Sequence, residues 1–127
     1  MSTSRGHQDY PLEDLEWNQG SQEGIKYARF IMDQDDPSSP VMLMTKFQPG
    51  TKVAPHTHDC NYMEYIVEGE QTVGKDLLKA GDTRVVKGGT GYGPITVGQN
   101  GCTVVAFFQD RTGMGWEAMP RKKATAG

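Results

Sequence analysis

The chain has 127 residues, with 13 Lys and Arg against 16 Asp and Glu and a formal net charge of -3, enough for one domain with a core and without the basic footprint of a nucleic-acid partner. Hydrophobic residues make up 35% of the chain, and no apolar run approaches the ~20 residues of a membrane-spanning helix. Met1 to His7 lead into no apolar segment, and Cys60 and Cys102 fall in neither a metal-ligand spacing nor a disulfide framework; no signal peptide, no membrane partner and a reducing, cytoplasmic setting are expected.

Sixteen glycines and seven prolines imply many turns and so an all-β domain. Residues 1–20 read as an N-terminal arm, partly disordered, in which Pro11 to Trp17 holds a helical turn or an irregular segment with Leu12, Leu15 and Trp17 seeking cover. Gly24 to Asp33 alternates apolar and polar residues as a strand does, with Ile25, Tyr27 and Arg29 on one side. The turn formers of 33–40 make a loop. Val41 to Phe47 is a largely apolar strand ended by Gln48-Pro49-Gly50, where proline then glycine suits a type II turn.

The next stretch carries the chemistry. Val53 and the threonines favour extended backbone, which sends residues i and i+2 to one face, so His56 and His58 point together. Asp59-Cys60-Asn61 reads as a polar hairpin, and Tyr62 to Gly69 as a second strand that returns Tyr62 or Glu64 toward the histidines. Glu70 to Val73 continues extended, and Leu77 to Ala80 is a short element between the turns at 74–76 and 81–82. Thr83 to Lys87 is a strand running into the glycine-dense loop 88–94. Ile95 to Val97 and Cys102 to Phe108 are strands across a Gly98-Gln99-Asn100-Gly101 hairpin. Residues 111–127 form a polar tail in which Met114, Trp116 and Met119 are able to pack back. Roughly eight short strands over 21–110 make one sandwich, barrel or jelly roll, with no helix of three turns.

Gly50, His56, His58 and Gly69, with the strand ending Tyr65-Ile66-Val67-Glu68-Gly69-Glu70, resemble the first conserved motif of the cupins. Gly81-Asp82, Val85-Val86, Gly89-Thr90 and Gly93-Pro94 look like the second, and together the two cover roughly residues 41–108. The resemblance implies a small single-domain double-stranded β-helix, a jelly-roll (cupin) barrel with its site inside. It also marks two departures: Tyr62 stands where the family has a glutamate ligand, and Tyr92 where it has a third histidine. Glu64, two residues along from Tyr62, shares its face and can supply the missing carboxylate.

The candidate site residues are therefore His56, His58, Tyr62, Glu64 and Tyr92. Neutral imidazoles suit a divalent transition metal (Fe, Zn, Ni, Mn or Cu), and His56, His58 and Glu64 make a two-histidine, one-carboxylate set. The leading reading is an enzyme acting on a small organic molecule, metal-dependent and of oxygenase, lyase, cyclase or isomerase type. Without a metal, a histidine base facing a tyrosine acid would serve an isomerase or dehydratase. A non-catalytic binding module is the second class, and a structural or storage protein the third. The glycines of 88–93 match a phosphate loop by count only, since neither a following Lys-Ser/Thr nor a helix is expected there. The apolar runs at Val41 and at 104–108 offer a face for a homodimer.

Overall fold

In the computed structural model, which describes residues 6–113, eight antiparallel strands and two single-turn 3-10 helices make up the regular structure. The strands are β1 (Asn18–Gln19), β2 (Ile25–Ile31), β3 (Val41–Phe47), β4 (Lys52–Val53), β5 (Tyr62–Val73), β6 (Asp76–Lys79), β7 (Thr83–Val86) and β8 (Ile95–Phe108). No helix among the described residues is long and apolar enough to cross a membrane. Expectations placed on the tail beyond Gly113, including Met114, Trp116 and Met119, lie outside the described residues.

The spine is the pair of long strands β5 and β8, joined from Tyr62↔Phe108 to Val73↔Ile95. Around it the sheet runs β1-β2-β3-β8-β5-β6, with β4 on β8 and β7 on β5. One half of the spine is flanked by β3 and β7, the other by β4 and β6, so the two long strands belong to both walls of a roll. Its core includes Val41, Ile66, Val73, Val86, Val97, Val104 and Phe108. The expected type II turn is present: Thr51 N–H donates to the Gln48 carbonyl at 3.2 Å, with Gly50 at φ 78°.

Two expectations are corrected. The hairpin at 98–101 does not form; β8 runs through it as one strand. Glycines inside an extended run mark a bulge as well as a turn, and here the pairing of β5 with β8 slips between Ile66 and Glu68 and again between Gly69 and Gln71. The slip changes which residues face inward. On β5, Tyr62 and Ile66 are buried before it and Gln71 and Val73 after it; on β8 the buried set passes from Ile95 and Val97 to Cys102, Val104, Ala106 and Phe108.

The hairpin at 59–61 does not form either. Over Tyr62–Tyr65 both edges of β5 are already taken, by β7 and by β8, so the histidine segment pairs elsewhere. Lys52 and Val53 pair with Thr96 and Ile95, and His56 and Tyr92 exchange two main-chain hydrogen bonds of 3.1 Å. Cys60, in the middle of the 59–61 segment, is buried with its thiol 3.5 Å from the Asp110 carbonyl. It and Cys102 are free thiols.

The N-terminal arm joins the roll before residue 21. β1 pairs with β2, Leu15 is buried, and the Tyr10 ring meets Phe30 edge-on at 5.2 Å.

Candidate active site

Strand register sets the site in rows. Arg29, Leu43, Ala106, Glu64 and Arg84 are successive cross-strand partners over β2, β3, β8, β5 and β7; Ile31, Val41, Phe108, Tyr62 and Val86 form the adjacent row. The loop after β7 lays Tyr92 beside His56. His56, His58, Tyr62 and Tyr92 come together there, with Glu64 joined to them through Tyr92. His56 lies 5.1 Å from His58 and 4.7 Å from Tyr92 between ring centroids, and Tyr62 lies 4.9 Å from His58, edge-on, and 5.0 Å from Phe108, stacked. Tyr92 donates its hydroxyl hydrogen to Glu64 Oε2 at 3.4 Å. The cavity that His56, His58, Glu64 and Tyr92 border, Tyr62 not being in its lining, holds about 520 Å³ and is mostly apolar, with Ile25, Leu43, Phe47, Val53, Ile95, Val104 and Phe108 in its wall.

The histidine tautomers follow from their partners. His56 Nδ1 is 3.0 Å from the Ala54 carbonyl and His58 Nδ1 is 2.8 Å from the Gly113 carbonyl. A carbonyl oxygen only accepts, so each Nδ1 carries a hydrogen, and in the neutral ring each Nε2 keeps its lone pair. Metal-ligating histidines are held in this way, the second nitrogen tied to a carbonyl or carboxylate. The donor chemistry therefore fits a divalent metal at the pair. Glu64 adds an oxygen, Oε1, that is buried without a hydrogen-bond partner among the described residues. As placed, however, Glu64 is held by Tyr92 and not gathered with the histidines: among the described residues no group of three His, Cys, Asp or Glu side chains stands in metal-holding geometry.

Burial sets the charge states. It lowers the His58 pKa, with the Gly113 carbonyl opposing, so the ring is neutral at neutral pH. It pushes Tyr62 up to about 12 and Tyr92 further, so both are neutral phenols. Burial also raises Glu64, against the Arg84 guanidinium, which lowers it. Since the folded form then holds the Glu64 proton more tightly than the unfolded chain, stability falls as pH rises above the unfolded value of about 4.3 and through the folded one. In EDTA-treated protein, Glu64→Gln removes that loss. The thermal midpoint of the variant, measured against that of the parent, should climb as pH is raised from about 4; a constant difference would contradict the buried, proton-holding Glu64.

Arg84 also reaches the site, its guanidinium 5.8 Å from the Tyr92 ring centre. Lys46 does not: it is exposed, with its ammonium 4.6 Å from the Trp17 ring centre. Gln71 and Arg29 line the cavity and are absent from the candidates that the sequence suggests. For Arg29 the alternation Ile25, Tyr27, Arg29 was signal enough. For Gln71 the bulge removed the signal.

The family model for the ChrR cupin-like domain matches residues 8–111. No curated protein matches the chain at a significant level. Among solved structures, KdgF from Halomonas sp. is similar at 24% identity over 80% of this chain and 94% of its own, with a TM-score of 0.63. The polyketide cyclase RemF from Streptomyces resistomycificus shares 13% identity over 80% of this chain and 78% of its own, with a TM-score of 0.69. A chain of the Rhodobacter sphaeroides complex between SigE and the anti-sigma ChrR shares 18% over 77% of this chain and 50% of its own, with a TM-score of 0.64. These likenesses establish the fold, which a cyclase and a regulatory complex have in common. The chain belongs to the ChrR cupin-like domain family, a small all-β cupin domain.

Proposed function

We propose that the protein is an enzyme acting on a small organic molecule inside the barrel, with a divalent transition metal (Fe, Zn, Ni, Mn or Cu) held by Nε2 of His56 and His58. The observation that carries this reading is the pair of Nδ1–H···O=C hydrogen bonds at 3.0 and 2.8 Å, which leave two adjacent imidazole lone pairs free; a lone general base would need only one. Glu64, the one carboxylate among the described residues lining the cavity, is the third donor in this reading. A metal bound there would supply Lewis acidity or oxygen activation toward an oxygen-rich, chelating substrate. The protein's part is to fix the tautomers, hold a proton between Tyr92 and Glu64, and keep water out with the apolar wall. Oxygenase, lyase, cyclase and isomerase chemistries all suit such a site. The test is metal content and turnover of the parent against His56→Ala and His58→Ala; turnover unchanged in both variants sinks the reading.

The Tyr92 to Glu64 hydrogen bond favours a second reading, metal-free proton transfer, with a neutral histidine as base and the Tyr92–Glu64 pair as acid in an isomerase or dehydratase. Tyr92→Phe separates the two, since it slows proton transfer without removing a histidine donor. Ligand binding without any turnover would instead indicate a non-catalytic binding cupin.

A second copy of the chain is the partner that suits the outer face. Phe30, Met42, Phe107, Met63 and Val85 form one outward cross-strand row, in which Phe107 and Met63 are each 47% exposed and Val85 74% exposed. Of the runs expected to pair, Val41, Val104, Ala106 and Phe108 are buried inside. The dimer face is thus the Phe107 row, since exposed apolar patches of this kind mark interaction sites. Phe107→Glu should convert a dimer to a monomer by light scattering after gel filtration; a monomeric parent would contradict it.

A further inference from the structure

The strand slip that turns Gln71 inward places an amide where the fold itself has no use for one. Gln71 is 2% exposed and its Oε1 has no hydrogen-bond partner among the described residues. Its cross-strand neighbours are Val97 on β8 and Leu78 on β6, and the next inward residue, Val73, is apolar and buried. A leucine or methionine would pack among these at least as well. Burying a carbonyl oxygen without a partner is unfavourable, and such groups in a native fold call for an explanation. The explanation at hand is the cavity, into whose wall Gln71 is built together with His56, His58 and Glu64.

We infer that Gln71 is the specificity residue of this cavity, its Oε1 accepting a hydrogen bond from a hydroxyl or N–H group of the bound molecule. The rest of the wall selects an apolar body, and aromatic or branched hydrocarbon surface suits Ile25, Leu43, Phe47, Val104 and Phe108. The substrate class is therefore a compact molecule with oxygen donors for the histidine pair, an apolar body, and a separate hydroxyl or N–H donor for Gln71; a phenol is the simplest model of the apolar body with that donor. This deepens the enzyme reading and rests on it for the word substrate. The asymmetry of polar recognition gives the residue its leverage. A site built around a hydrogen bond discriminates strongly against an analogue lacking the group, whereas an apolar wall discriminates weakly against one carrying it.

The test uses binding alone, on EDTA-treated protein, so that failure of the metal or turnover reading is seen separately. The probes are 2-naphthol and 2-methylnaphthalene, matched in shape and differing in the donor. The parent should prefer the naphthol by about tenfold or more. Gln71→Leu should bring the ratio to about one and raise the ligand-free thermal midpoint, because the unpartnered oxygen is gone. Gln71→Met, unbranched and close in length, serves the same purpose should the leucine variant fail to fold. A naphthol preference retained in the variants, a parent without preference, or a lowered ligand-free midpoint in both variants would each overturn the inference. Failure of both probes to bind the parent would overturn the substrate class.

Discussion

Gly69→Ala is expected to destabilise the protein by about 3–5 kcal/mol, because a left-handed backbone and a backbone overlap act at one atom. Gly69 sits at φ 81° in the slip between β5 and β8. A Cβ there would overlap the carbonyl oxygen of Gly101 and lie 2.7 Å from its carbonyl carbon and 2.9 Å from Cys102 Cα. These are main-chain atoms of the strand to which Gly69 is paired, so no rotamer change relieves them. Against a domain stability of roughly 5–15 kcal/mol, the loss leaves little margin. Gly50→Ala is the control: φ is similar at 78°, but nothing lies within 4 Å of the added atom, so only the backbone strain of about 1 kcal/mol remains. Urea denaturation of both variants decides it. A Gly69→Ala midpoint close to that of Gly50→Ala would show that the spine tolerates a shift at its bend.

The second large effect concerns the histidines. Loss of a hydrogen-bond partner behind a metal ligand already costs about 10–100-fold in affinity, so His56→Ala or His58→Ala, which removes a ligand outright, should weaken metal binding by more than about 100-fold. The fold should survive. Both histidines are partly exposed and lie outside the long paired strands, although His58 also packs on Tyr62 and Phe108, so its removal leaves the larger gap. Tyr92→Phe, by contrast, keeps both Nε2 atoms and should leave affinity within about threefold, since a buried phenol whose pKa burial raises is a poor ligand. Competition with a colorimetric chelator measures all three. Affinity lost equally in Tyr92→Phe would make the tyrosine a ligand.

Much of this was legible in the sequence, for reasons that also explain what was not. The turn-rich composition and the alternation of β2 and β3 are local signals, and they gave the all-β class and its strands. The period put Tyr62 and Glu64 on one face because β5 is regular between them. His56 and His58 do meet, at 5.1 Å between ring centroids, but on the irregular segment beyond β4, which ends at Val53, and not on the strand expected to carry them. Pairing partners were not legible. The histidine segment bonds to the Tyr92 loop because the edges of β5 are occupied, which depends on β7 and β8, far along the chain. Period-2 reasoning also fails across a bulge. Continued from Tyr62 it points Gln71 outward, whereas the slip at Gly69 turns it into the cavity. Gly98 and Gly101 gave the right location for that irregularity and the wrong kind.

The most direct test of the account is electron paramagnetic resonance of the protein loaded with one equivalent of Cu²⁺, with and without His56→Ala. Two free Nε2 lone pairs predict nitrogen superhyperfine structure from two imidazoles in the parent and from one in the variant. A spectrum without imidazole coupling in the parent, or one that the substitution leaves unchanged, would contradict a metal site at the histidine pair and shift the function to proton transfer through Tyr92 and Glu64.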